Sequence, residues 1–380
     1  MIYLDNAATS WPKPDCVTQA MVHFMNKVGA SPGRSGHRLA LDAGRVVLTA
    51  RENLATLFNV DDPGRVIFTK NVTEALNTTL FGLLQPGERV ITSAGEHNSV
   101  MRPLRWLETN RLITVTVVPC DSQGILDLDA LASALQQPTR VVVLTHASNV
   151  TGVINPLPAI SQLVRAAGAL LVIDAAQTAG VMPIDLTADD VDVLAFTGHK
   201  GLLGPTGTGG LVLGEDVPLR PLIFGGTGSE SEHEFQPGFL PDQLESGTLN
   251  SVGIAGLMRS TQFLIETGVA QIRQHEEKLV ARLLDGLSRI NDVTVYGPSD
   301  AHERSSVVSF NIANRSPAQV GLRLDETYEI MCRVGLHCAP AAHRVVGTFS
   351  DGSVRFGLGY FNTPTEIDQA IHAVQAIAKR

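Results

Sequence analysis

The chain has 380 residues, 44% of them hydrophobic and 18% charged, and carries a formal net charge of −9. That length supports a sizeable core and two domains, and the acidic balance argues against nucleic acid as a partner, since phosphate backbones need a basic face. Four widely spaced cysteines (Cys16, Cys120, Cys332, Cys338) form no CxxC pair, which points to reduced thiols and neither a disulfide framework nor a metal site.

In chain order, the start "MIYLDNAATSWPKP" lacks a basic region followed by an apolar stretch, and no apolar run reaches the ~18 residues of a membrane span. The expectation is a cytoplasmic enzyme with no membrane partner. From about residue 65 to 215, short β-branched runs alternate with helical patterns. The strand candidates are 65–69, 89–93, 113–119, 140–146, 169–174, 191–196 and 209–214, and helices are expected over Thr73–Leu84 and Leu157–Ala167. Several of these strands are apolar throughout, as strands covered on both faces should be. The pattern predicts an α/β fold with a mostly parallel seven-stranded sheet, whose chemistry gathers at the carboxyl ends of the strands. Beyond Gly247 the texture changes to two long helices, short strands including "SVVSFNI" and "SVRFGL", and a last helix from about Pro364 to Lys379. We expect a large domain over 15–250 and a smaller α+β domain formed by 1–14 and 251–380.

The loops after successive strands hold the polar residues. The first offers Thr73, able to cap a helix with its hydroxyl and present N–H groups to an anion. Later loops carry His97, then His146 and Asn149, then Asp174 and Gln177, and finally Thr197, His199 and Lys200 in "FTGHKGLLGPTGTGG". Singly, each has a bland explanation as a helix cap or a satisfied structural residue. Lys200 precedes its glycines, whereas a nucleotide P-loop places its lysine after them. Together the set suits pyridoxal 5'-phosphate, which needs a lysine amine, a carboxylate at its ring nitrogen, a flat group over the ring and donors for a phosphate. Lys200, Asp174 and His97 fill the first three needs. Thr73, Thr197 and His199 supply the last.

With "YLDNAAT" at the start, "EHNS" at 96–99, "SNVTGVINP" at 148–156, "DAAQ" at 174–177, "ESGTLN" at 245–250, "GLHCAP" at 335–340 and "VRFGLGYFNT" at 354–363, the chain resembles the class V aminotransferase-like enzymes of PLP-dependent fold type I, and among them the cysteine desulfurases. The resemblance implies that Lys200 bonds the cofactor and Asp174 pairs with its ring nitrogen. Gln177 and Asn149 resemble groups touching the ring's phenolic oxygen or the substrate carboxylate. Thr248 is similar to a threonine reaching the neighbouring subunit's phosphate, which implies a homodimer with composite sites. Arg355 resembles the arginine that grips the substrate carboxylate, and Arg34 and His37 match a loop near the substrate entrance. Where many relatives carry two threonines, this chain has Val72 and Thr73, so a backbone N–H takes over one phosphate contact.

Cys338 decides the chemistry within the resemblance. A free cysteine is mostly a small buried hydrophobe, but this position carries the sulfur-attacking thiolate in desulfurases. The expected activity is conversion of L-cysteine to L-alanine with a persulfide on Cys338, passed to a sulfur-acceptor protein. The short interval from Cys338 to Arg355 resembles a branch that includes selenocysteine lyases. The alternative is therefore a selenocysteine lyase or another β-lyase or aminotransferase of the same fold.

Overall fold

In a computed structural model, which describes residues 1–33 and 36–379, the chain opens with β1 (Ile2–Tyr3), α1 (Asp15–His23) and α2 (Arg38–Phe58). The alternating region then runs β2 (Val66–Thr69), α3 (Val72–Leu83), β3 (Arg89–Ser93), α4 (Asn98–Arg111), β4 (Thr114–Val118), α5 (Leu128–Ala134), β5 (Val141–Thr145), α6 (Leu157–Ala166), β6 (Leu170–Asp174), β7 (Val193–Thr197) and β8 (Gly209–Leu213). All seven expected strands join one sheet in the order β2-β8-β7-β6-β5-β3-β4. Its pairs are parallel except those of β8, which runs against both neighbours.

Two helix layers explain why the strands read as continuous apolar runs. Val142 and Leu144 of β5, with Leu171 and Ile173 of β6, pack towards Leu54 and Phe58 of α2 and Ile160 of α6. Their sequence neighbours Val141, Val143 and Val172 face the other way, towards Leu76 and Leu80 of α3 and Leu104 of α4. Period-2 geometry sends adjacent side chains to opposite faces, and here both faces are covered.

The remainder comprises α7 (Ser251–Thr267), α8 (Val269–Ser288), β9 (Val293–Tyr296), β10 (Val307–Ile312), α9 (Pro317–Tyr328), β11 (Ile330–Met331), β12 (Arg333–Gly335), α10 (Pro340–Val345), β13 (Ser353–Gly357) and α11 (Pro364–Ala378). A four-stranded antiparallel sheet, β12-β13-β10-β9, shares a core with α8, α9 and α11 built on Leu279, Leu283, Phe310, Leu324, Phe356 and Val374. The N-terminal β1 pairs in parallel with β11, and Asp5 bridges to Gly357. The first residues are thereby anchored beside β13, and α7 packs against α1 and α2.

Candidate active site

Asp174 closes β6 in register with Thr145 of β5 and Ala195 of β7. Its buried carboxylate accepts the Ala176 N–H at 2.9 Å and the Ser99 hydroxyl at 3.4 Å. Burial pushes its pKa up, and the Ala176 N–H, the Lys200 ammonium and the Ser99 hydroxyl oppose that shift. A protonated ring nitrogen would give this carboxylate the cationic partner that burial demands.

His97 is the N-cap of α4, and its Nδ1 accepts the Ser99 N–H at 3.0 Å. An Nδ1 that accepts must be unprotonated, so the neutral ring carries its proton on Nε2. Burial, then the cations Lys200, Arg333, Arg102 and Arg355, push the imidazole down to about 4. At neutral pH this is a flat, uncharged ring suited to stacking. Lys200 follows β7, and burial brings its amine down to about 8 against the opposing pull of Asp174.

The donors for a phosphate lie on the neighbouring strand ends. The expectation that Thr73 caps α3 is corrected: Asn71 is the cap, its side chain accepting the Glu74 N–H at 3.0 Å, while Thr73 sits exposed inside the first turn. Asn71 wins because it has the extended backbone of a cap, and Glu74 three residues on reaches back to the Lys70 N–H at 2.7 Å. The first-turn N–H groups of Val72 and Thr73 then have no intrahelical acceptor. Gly209 of β8 allows this helix start to press close, since a Cβ there would meet the Asn71 Cα at 2.6 Å. Across β8 lies Thr197, whose Oγ1 is buried without a partner among the described residues, as is Nδ1 of His199. An unsatisfied buried polar atom costs about 1–3 kcal/mol, so two together favour a ligand rich in acceptors. The donor set fits the phosphate of pyridoxal 5'-phosphate. Among the described residues, no group of three or more His, Cys, Asp or Glu is arranged to hold a metal ion.

Arg355 of β13 is 1% exposed and donates from Nη2 to Asp5 Oδ1 at 2.9 Å and from Nη1 to the Asn149 carbonyl at 3.2 Å. Its Nε has no partner among the described residues. The Asn149 side chain donates to the His337 carbonyl at 2.7 Å, so this residue joins Arg355 to the cysteine loop. Gln177 donates to the Ala7 carbonyl at 3.1 Å.

Cys338 lies between β12 and α10, and it is exposed where the other three cysteines are partly covered. His337 and Cys338 both have positive φ, 48° and 58°, a conformation that costs non-glycine residues about 1 kcal/mol or more each. Bonds from Asn149 to the His337 carbonyl and from the Asn98 N–H to the Cys338 carbonyl, at 3.0 Å, hold it in place. The second ties Cys338 to the first turn of the helix that His97 caps. Arg333 Nη2 stands 3.6 Å from Sγ. Burial pushes the Cys120 and Cys332 thiols up to about 11 and 12, away from thiolate chemistry.

Other expected residues stand apart. Thr248 is exposed and lines a separate cavity of about 410 Å³ with Leu48, Arg51, Thr227 and Glu245. His37 is the N-cap of α2, accepting the Ala40 N–H at 3.2 Å, and Arg34 lies outside the described residues. His146 is buried against Thr178 Oγ1 at 3.0 Å. Sequence reasoning missed Asp5, Ser99 and Arg333. The signal for Arg333 is its register opposite Arg355 across β12–β13, which only the folded sheet reveals.

The aminotransferase class-V family profile matches residues 2–370. The chain belongs to the aminotransferase class-V family. Within it, the chain is similar to a probable cysteine desulfurase of Methanothermobacter thermautotrophicus, 36% identical across 99% of this chain and 94% of that protein. A cysteine desulfurase of Yersinia pestis is 31% identical across 100% of this chain and 94% of its own. Among solved structures, the apo cysteine desulfurase of Thermococcus onnurineus superposes with a TM-score of 0.94 at 31% identity, covering 100% of this chain and 94% of that one. The α/β architecture is that of the PLP-dependent cysteine desulfurases, in agreement with the expected fold type I.

Proposed function

We propose that this class-V chain is a pyridoxal 5'-phosphate-dependent cysteine desulfurase, converting L-cysteine to L-alanine. The observation that carries the reading is one exposed cysteine beside Arg333, tied through Asn98 and Asn149 to a lysine–aspartate–histidine site. Full-length relatives that bear the desulfurase name support it.

Lys200 would hold the cofactor, Asp174 its ring nitrogen, His97 its face, and Thr197, His199 and the Val72 and Thr73 N–H groups its phosphate. When bound, the cofactor supplies a sink for the electron pair left at the substrate Cα. The chain's own groups do the rest. Arg355 orients the substrate through its carboxylate, with Asn149 beside it. The Lys200 amine, kept from permanent protonation by burial, takes the Cα proton. The Cys338 thiolate attacks the substrate sulfur: the S–S bond forms, the C–S bond breaks with its electron pair left on carbon, and protonation there yields alanine. The enzyme retains a persulfide on Cys338 for a sulfur-acceptor protein. Thr248, which lines a separate cavity in its own chain, reaches the phosphate across a homodimer interface. A cytoplasmic location completes the reading, and no helix is long and apolar enough to cross a membrane among the described residues.

The test is visible absorbance together with alanine production from L-cysteine. Lys200→Ala abolishes the yellow adduct and turnover, and Cys338→Ala keeps the colour but loses sulfur transfer. Normal desulfuration by Cys338→Ala would refute the persulfide role. The short structured turn of Cys338, placed between β12 and α10, also supports a second reading, selenocysteine lyase. In that case Cys338→Ala would retain alanine release from L-selenocysteine.

A further inference from the structure

The carbonyl oxygen of His199, immediately before Lys200, is crowded with donors. The Ser10 N–H reaches it at 2.9 Å, the Thr9 hydroxyl at 3.1 Å and Lys13 Nζ at 2.8 Å. Lys13 Nζ also donates to Ser10 Oγ at 2.7 Å, and Ser10 Oγ stands 2.8 Å from the Lys200 carbonyl. One side chain therefore grips both peptide oxygens flanking the Cα of Lys200, directly on one side and through a hydroxyl on the other. The segment bearing these donors is fixed in turn, with Gln177 holding the Ala7 carbonyl and Asn6 Oδ1 accepting the Trp11 N–H at 3.1 Å.

Lys13 is an unusual residue for this task. It is largely buried, and burial lowers its ammonium to about 8. Among the described residues no ion pair offsets that penalty. Placing an uncompensated cation inside a protein is costly, and a serine or asparagine could satisfy one carbonyl more cheaply. What an ammonium adds is three strong, charge-assisted donors, enough to reach the His199 carbonyl and the Ser10 hydroxyl at once.

We propose that Lys13 is a positioning residue for Lys200: with Ser10 it locks the His199 and Lys200 peptides, so that the Lys200 amine stands where a cofactor aldehyde must meet it. This inference rests on the pyridoxal reading above. Its physical basis is preorganisation, since a bond-forming amine held in place reacts far more readily than one free to wander.

Two probes separate this role from a general one. Pyridoxal 5'-phosphate condenses with the Lys200 amine, forming a C=N bond with loss of water, whereas pyridoxamine 5'-phosphate carries an amine there and binds without that bond. Apoprotein is titrated with each, following visible absorbance for the first and fluorescence for the second. In Lys13→Met, affinity for pyridoxal phosphate falls at least about tenfold, while that for pyridoxamine phosphate stays within about threefold. Ser10→Ala shows the same selective loss in smaller measure and covers the case in which Lys13→Met fails to fold. Lys13→Arg, which keeps the charge and several donors, restores most of the difference. Equal losses for both probes, or no loss for either, overturn the proposal. Wild-type protein that binds neither probe overturns the pyridoxal reading itself, and this inference with it.

Discussion

Replacing Arg355 with lysine keeps the positive charge but removes the planar fork. The guanidinium now meets Asp5 at 2.9 Å and the Asn149 carbonyl at 3.2 Å, with Nε unpartnered. A single ammonium on a shorter stem can keep the contact to the half-buried Asp5 carboxylate, so the fold should survive. It cannot also offer a substrate carboxylate two parallel N–H groups. Losing one charge-assisted hydrogen bond of about 1.5–3 kcal/mol raises KM for L-cysteine by roughly 10- to 150-fold at about 1.4 kcal/mol per decade. The effect on kcat should be smaller, because Arg355 holds the carboxylate and not the reacting sulfur. Steady-state alanine and sulfide assays on wild type and Arg355→Lys measure this directly, and cysteamine, which lacks the carboxylate, is the control. An unchanged KM for L-cysteine, or an equal penalty on cysteamine, would refute the assignment of Arg355 to the carboxylate.

Further outcomes follow from the same geometry. Burial lowers the Lys200 amine from 10.5 to about 8, so between those pH values the unfolded chain binds the extra proton and folding gains stability as pH rises. Urea unfolding of the apoprotein should therefore show Lys200→Met more stable than wild type at pH 7, by up to about 3 kcal/mol, with the gap closing towards pH 10; a constant gap would contradict the burial argument. Asn71→Ala should lose about 1 kcal/mol by removing the α3 cap, whereas Thr73→Ala should stay within about 0.5 kcal/mol. The same urea titration separates them, and the reverse order would restore Thr73 as the cap.

Most strands of the large sheet were legible because their burial on both faces writes itself as continuous apolar runs, Val141–Leu144 being the clearest, whereas the edge strand β4 is covered fully only at Val118. Lys200, Asp174 and His97 were legible because strand ends in such a sheet converge on one edge. The α3 cap was misread because Asn71 and Thr73 are both competent capping residues, and only the extended backbone at 71 distinguishes them. Asp5 and Arg333 were hidden for a different reason. Asp5 meets a partner 350 residues away, and Arg333 gains its place beside Cys338 through the pairing of β12 with β13. Lys13 stands between two prolines, and nothing in that local pattern marks its contacts with the His199 carbonyl and Ser10. Local pattern marks elements and their ends, while contacts between the N-terminal segment and two distant strands depend on how the layers close.

The most direct measurement is mass spectrometry of the cofactor-loaded enzyme after brief exposure to L-cysteine, without added acceptor or reductant. One additional sulfur on the peptide containing Cys338, formed in step with one alanine and absent from Cys338→Ala, is the predicted result. Alanine released while Cys338 remains unmodified, or sulfur carried on Cys16, Cys120 or Cys332 instead, would contradict the account.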